Sequence, residues 1–220
     1  MNSEIKIYPS IMCADHSNLA EEITKLEKAG IDSYHLDVMD GEYVPNFGCG
    51  PGMFKCIKKH SSLPLDVHLM IKDPIRHIWY FRDLGADKIT IHPEAGRHPA
   101  RTLSVIAETG ASAGIAINPG EAIETVKELF PLCEHVLVMT VNPGFAGQGF
   151  LDFTVDKIRS LSKYADKYGF TICVDGGVNL EKICQLKPLG VSAFVLGAYL
   201  FSAVDYGEAL DGIYRRMRDL

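Results

Sequence analysis

Leu65-Asp66-Val67-His68-Leu69-Met70, then Asp73-Pro74 opening a segment that closes at Gly85, then Lys88-Ile89-Thr90-Ile91-His92: this stretch decides the fold. The two apolar runs have the length of strands. Between them, Asp followed by Pro reads as a helix start, with an Asp cap and Pro in the first turn. Gly85 stands where that helix should end, which suits a C-terminal glycine cap. The stretch is one strand, one helix and the next strand.

The same unit recurs on both sides. Further short apolar runs fall at 5–10, 33–38, 113–118, 135–141, 171–175 and 193–197. Amphipathic segments separate them. Leu19, Ile23, Leu26 and Ala29 recur at helical spacing, as do Val155, Ile158, Leu161 and Tyr164. Gly30, Gly110 and Gly190 repeat the role expected of Gly85. Eight strands, each followed by a segment of helical length, fit a parallel barrel. An open doubly wound sheet could use the same elements, but the units are similar in length and no G-x-G-x-x-G follows the first strand. The expected fold is α/β, a single (β/α)8 TIM barrel forming one domain over residues 1–220.

Composition narrows the classes. Of the 220 residues, 47% are hydrophobic and 23% charged, as in soluble globular proteins. The formal net charge of −6 argues against a general binder of nucleic acid or anionic membrane. No stretch approaches the roughly 20 apolar residues of a membrane span, and residues 1–9 lack a signal-peptide run. Six cysteines lie scattered with no CxxC pair, which suits reduced thiols in a cytoplasmic protein.

Polar residues collect at the C-terminal ends of the expected strands, the catalytic rim of this architecture. They are Ser10, then His35-Leu36-Asp37-Val38-Met39, then Asp66-Val67-His68-Leu69-Met70, then Asp175-Gly176-Gly177. Side chains alternate along a strand, so His35, Asp37 and Met39 share a face, and His68 shares one with Met70. With those faces inward, two imidazoles and two carboxylates, Asp37 and Asp175, converge near the axis. That donor set suits Zn, Mn, Fe or Co and does not suit Ca. A lone histidine in such a place is usually a hydrogen-bonded core residue. Four polar groups at strand ends are not explained so easily, because each would be expensive to bury unpaired.

A second group is rich in glycine. Strand six runs into Asn142-Pro143-Gly144-Phe145-Ala146-Gly147, strand seven into Gly176-Gly177, and strand eight into Gly197-Ala198. Glycines let the backbone approach an anion with N–H groups pointing at it, and barrels seat phosphates in the loops after strands seven and eight. His92-Pro93-Glu94 could line the site or serve structure alone. Arg97, His98 and Arg101 read as a solvated helix start, and Trp79 and Tyr80 as packing residues of the third helix.

These residues resemble the ribulose-phosphate 3-epimerase family. His35-Leu36-Asp37-Val38-Met39-Asp40-Gly41 with Tyr43-Val44-Pro45-Asn46 looks like its signature. Pro9-Ser10-Ile11, Val67-His68-Leu69-Met70, Met139-Thr140-Val141-Asn142-Pro143-Gly144-Phe145 and Val174-Asp175-Gly176-Gly177 match it in order and spacing. The resemblance runs from about Ile7 to the last strand. It implies one divalent metal held by His35, Asp37, His68 and Asp175, with Asp37 and Asp175 as the acid–base pair. It implies that Ser10 and His68 contact substrate and that Met39 and Met70 form part of a thioether collar. Gly144, Phe145, Ala146, Gly147, Gly177, Gly197 and Ala198 would hold the phosphate, and Asp175 and Gly176 would contact substrate beside them. It also implies a small ketose phosphate as partner and, by analogy, a homo-oligomer.

This chain departs from the family pattern at Ala146, where glycine is common, and at Ala198, where serine is common. Phe47-Gly48-Cys49-Gly50 departs as well. The resemblance favours epimerisation of ribulose 5-phosphate at C3, while related epimerases act on allulose 6-phosphate, and both substrates stay open. A decarboxylase barrel of the orotidine-phosphate type would need a Lys where Met39 stands. A non-catalytic barrel that only binds sugar phosphate would be expected to lack one acid–base residue.

Overall fold

Eight strands form one parallel sheet: β1 Lys6–Pro9, β2 Tyr34–Met39, β3 Leu65–Met70, β4 Lys88–Ile91, β5 Ser112–Ile117, β6 His135–Met139, β7 Thr171–Asp175 and β8 Val191–Leu196. They come from a computed structural model, which describes residues 5–218. The hydrogen-bonded order runs β1-β8-β7-β6-β5-β4-β3-β2. At the remaining seam, between β1 and β2, the closure is thin. One parallel bridge joins Ser10 to His35. Below it, Asp32 Oδ2 accepts the Ile7 N–H at 2.9 Å, and the Ile7 carbonyl accepts the Asp32 N–H at 3.2 Å. The sheet is therefore a nearly closed barrel.

Around it lie α1 Leu19–Lys28, α2 Pro51–His60, α3 Ile78–Asp83, α4 Pro99–Glu108, α5 Thr154–Tyr168, α6 Leu180–Leu186, α7 Ala198–Phe201 and α8 Tyr206–Arg218. The expected helical stripes hold. Leu19, Ile23 and Leu26 of α1 and Val155, Ile158 and Leu161 of α5 are buried. Gly30, Gly85, Gly110 and Gly190 all take positive φ just past their helices. Between β5 and β6 there are only two 3-10 turns, Ile123–Thr125 and Lys127–Leu132. Pro131 lies inside the second and has no N–H for an α-helical ladder.

Two readings of the third unit need correction. Asp73 does not cap a helix with its side chain. The following proline disfavours the right-handed helical region there, Asp73 stands left-handed at φ 50°, and a 3-10 turn at Pro74–Arg76 precedes α3. Trp79 and Tyr80 do not pack in the core. The short α3 buries Ile78 and Phe81, which leaves Trp79 56% and Tyr80 49% exposed.

Strand alternation divides the interior into two layers. Outward residues such as Leu36, Val67, Leu69, Ile89, Ile115, Val136, Val174 and Phe194 pack against the helices in one large apolar cluster. Burying each such side chain stabilises the fold by about 1.5–3 kcal/mol. Inward positions are different. Leu137, Met139, Cys173 and Val195 share the barrel interior with buried Asp66, His68, Thr90 and His135. Among the described residues no helix is long and apolar enough to cross a membrane, and all six cysteines are free.

Candidate active site

Parallel register sets His35 beside Asp66, Asp37 beside His68 and Met39 beside Met70 at the β2–β3 pairing. β7 delivers Asp175 at its last residue. One ligand atom from each of His35, Asp37, His68 and Asp175 lies within 4.8 Å of the others. The cluster is tightly wired. Ser10 Oγ donates to Asp37 Oδ2 at 2.6 Å. His68 Nδ1 lies 3.1 Å from Asp37 Oδ1. On the far side of the first imidazole, His35 Nδ1 meets Asp66 Oδ2 at 2.8 Å.

The two acid–base candidates are driven apart. Burial, reinforced by the nearby charge of Asp37, pushes the Asp175 carboxyl up to about 7. Burial would raise Asp37 as well, but the charges and hydrogen bonds of His35 and His68 override it and hold that carboxyl below its usual range. His35 moves against its own burial. Asp37 and Asp66 on either side keep its proton to well above the usual histidine range.

The residues fit a divalent metal on this structure's own terms. His35 Nε2 is buried and makes no hydrogen bond, yet it faces Asp37 Oδ1 at 3.3 Å and Asp175 Oδ2 at 3.9 Å. A buried imidazole nitrogen aimed between two carboxylates is what a cation would complete. Two imidazole and two carboxylate donors suit a borderline transition metal.

Above the cluster opens a cavity of about 300 Å³. Ser10, Asp37, Met39, Met70, Asp175, Gly176, Gly177, Gly197 and Ala198 line it, as do Gly144, Phe145, Ala146 and Gly147. His35 and His68 do not. Both are fully buried beneath Asp37. Two further thioethers, Met12 and Met139, complete the collar with Met39 and Met70. The Phe47-Gly48-Cys49-Gly50 departure does not touch the cavity. Gly48 lies against the back of β2, where a Cβ would come within 2.1 Å of the Asp37 carbonyl, and Cys49 N–H donates to that same oxygen at 2.7 Å.

The rim loops are fixed to one another. Thr140 Oγ1 donates to the carbonyls of Asp175 at 2.9 Å and Gly176 at 2.5 Å, so β6 holds the β7 turn. Gly177 takes φ 62° and passes so close to Phe150 that a Cβ would lie 2.6 Å from its nitrogen. Asn46 Nδ2 donates to the Gly144 carbonyl at 2.7 Å and ties the loop after β2 to the loop after β6.

Comparison with known proteins gives the family. The Ribulose-phosphate 3 epimerase family matches residues 6–201. The chain belongs to that family. It is 40% identical over 222 residues to the ribulose-phosphate 3-epimerase of Synechocystis, covering 99% of this chain and 96% of that one. With the Bacillus subtilis ribulose-phosphate 3-epimerase it shares 41% identity over 212 residues, 95% of this chain and 98% of the relative. With the chloroplastic Arabidopsis thaliana enzyme the identity is 40%, over 96% of this chain and 76% of the relative. The family is one of enzymes that act on carbohydrates, so this chain is an enzyme of that kind. More distant solved barrels share the fold alone. A 3-hexulose-6-phosphate synthase superposes with TM-score 0.69 at 16% identity, covering 96% of this chain and 99% of its own. Phosphoribosyl anthranilate isomerase from Thermus thermophilus reaches 0.68 at 14%, with 98% and 99% covered.

Sequence reasoning gave Asp66 no role behind His35, left His92 open between site and structure, and missed the Asn46 tie and two of the four methionines. Asp66 and Met139 follow from strand alternation carried one position further. Met12 and Asn46 lie outside the strands and gave no periodic signal.

Proposed function

We propose that this enzyme epimerises D-ribulose 5-phosphate to D-xylulose 5-phosphate at C3, with Asp37 and Asp175 as the two acid–base groups. The observation that carries the reading is that both carboxylates line one cavity and share one cluster with His35 and His68. In the metal-free chain Asp37 is held below its usual range and Asp175 is held up to about 7. Epimerisation beside a ketone removes a proton from one face of C3 and delivers another to the opposite face. One carboxylate must be ready to accept while the other is ready to donate. Asp37 takes the proton in the forward direction, and Asp175 supplies one from the other side. In the reverse direction the roles exchange.

His35, Asp37, His68 and Asp175 would hold a divalent cation, Zn, Fe, Mn or Co. Such a cation supplies Lewis-acid stabilisation of the negative charge that develops on the sugar oxygens. Ser10 keeps the Asp37 carboxylate turned toward the cavity through its 2.6 Å hydrogen bond. Met12, Met39, Met70 and Met139 surround the reacting carbons with uncharged, polarisable sulfur and keep water out. Backbone N–H groups of the glycine turns after β6, β7 and β8 receive the phosphate. Ala198 offers no hydroxyl there, so the main chain carries that role.

The pentulose is favoured because the relatives at about 40% identity are named ribulose-phosphate 3-epimerases and because the Phe47–Gly50 departure lies away from the cavity. The test is C3 deuteration of metal-loaded protein in deuterated water, followed by NMR with ribulose 5-phosphate and, separately, allulose 6-phosphate. Exchange of the pentulose with appearance of xylulose 5-phosphate, abolished by chelation, is expected. Preferred turnover of the hexulose would replace the substrate, and no exchange with either would end the epimerase reading.

A further inference from the structure

Behind the second imidazole stands a chain of polar groups that never reaches the cavity. His68 Nε2 lies 2.8 Å from His92 Nε2, and both rings are fully buried. His92 Nδ1 is buried without a hydrogen bond, 3.5 Å from Glu94 Oε1. That same Glu94 oxygen accepts from Tyr43 Oη at 2.6 Å and from Asn118 Nδ2 at 2.6 Å. The His92 ring is clamped between the rings of Tyr43 and His68, with centroids 4.8 and 5.0 Å away.

Two imidazole nitrogens at 2.8 Å must share one proton, donated by one and accepted by the other. If His68 is to present the Nδ1 lone pair to a cation, its own proton must sit on Nε2 and be donated to His92. His92 must then carry its proton on Nδ1, the nitrogen that faces the Glu94 carboxylate. The first link is a hydrogen bond, and at the second His92 Nδ1 faces Glu94 Oε1 at 3.5 Å, an approach just short of one. The arrangement parallels the other imidazole, where Asp66 receives the Nδ1 side of His35 and leaves Nε2 facing the cluster. Groups placed in this way behind metal-binding histidines fix the tautomer and the ring orientation.

We propose that His92, backed by Glu94, is a positioning residue that sets the tautomer of His68 and so tunes the affinity of the metal site. This rests on the four-residue metal reading given above. His92 touches neither cavity nor cluster carboxylate and acts only through His68.

The test uses the full chain and two polar replacements of different reach. In His92→Gln the longer amide can still accept from His68, whereas in His92→Asn the shorter one cannot. Zinc and manganese affinities would be measured by chelator competition, and melting temperatures on the metal-free proteins. Two-bond 1H–15N spectra of the zinc-loaded protein would report the tautomers of His68 and His92 directly. His92→Asn should bind metal about 10–100-fold more weakly, with His92→Gln recovering most of the loss. In the zinc-loaded unaltered chain His68 should carry its proton on Nε2 and His92 should carry its own on Nδ1.

Equal affinities for the unaltered chain and His92→Asn would overturn the inference while leaving the metal site standing. So would a His92 proton found on Nε2 in the zinc-loaded chain. Lower melting temperatures with unchanged affinity would assign His92 a purely structural role. If the unaltered chain binds neither metal, the metal reading itself falls and takes this inference with it.

Discussion

Asp37 and Asp175 are the same residue type in the same cluster, and their neighbours shift their carboxyls in opposite directions. Replacing either by Asn keeps the shape and removes the titrating group. Each variant should lose about 10²–10⁴ in turnover with its circular dichroism unchanged. Near-normal turnover in either would remove the two-carboxylate scheme. Asp175 also leaves a thermodynamic trace. Its folded carboxyl titrates at about 7 against an ordinary 3.8. Between those values the folded chain holds a proton that the unfolded chain has released, so this group's contribution falls as pH rises from about 4 to about 7. Metal-free Asp175→Asn escapes that loss. It should be more stable than the metal-free parent at pH 8 by up to a few kcal/mol, with the gap closing near pH 4, as read from urea midpoints. A parent as stable as the variant at pH 8 would show that burial does not hold Asp175 up. His35 gives a companion effect. Its raised proton affinity in the metal-free chain means that a cation must displace that proton, so metal affinity should fall as the buffer is made more acidic. Isothermal titration in buffers of different ionisation enthalpy would count the proton released.

Strands and rim loops differed in how far they could be read in advance. The strand positions were plain because buried parallel strands are short apolar runs, and six-residue β3 matched its expected bounds. His35, Asp37, His68 and Asp175 were recognisable for the same reason, being polar residues in otherwise apolar strand ends. Asp73-Pro74 misled because the pair fits a helix start and a left-handed turn equally well; in the fold Asp73 is left-handed and donates its N–H to the Ala95 carbonyl at 2.8 Å. The Asn46 tie joins residues 98 positions apart, and no local pattern encodes such a contact. Loop geometry carries its own test. Gly177 combines positive φ with a Cβ position 2.6 Å from the Phe150 nitrogen. Gly177→Ala should strain the turn after β7 by roughly 1–3 kcal/mol and raise KM for the sugar phosphate while leaving metal affinity unchanged. A KM equal to the parent's would mean that this turn does not seat the phosphate.

The barrel as an assembled object has one thin seam and two unlike interiors. At the seam, Asp32 accepts the N–H of fully buried Ile7. Asp32→Ala would leave that group unpaired at a cost of about 1–3 kcal/mol, lowering the urea midpoint with kcat unchanged. A loss of kcat alongside would mean that the seam also holds the Ser10–His35 end of the site. The two interiors have a longer reach. Apolar burial resides mainly in the layer between strands and helices, whereas the residues proposed for chemistry project the other way, into the barrel. Inward side chains at the strand ends can therefore be exchanged without dismantling the layer that holds the barrel together. Such a scaffold is permissive to inheritance with change. The vessel itself tolerates wholesale change of sequence, since barrels of 14–16% identity superpose over nearly their full length.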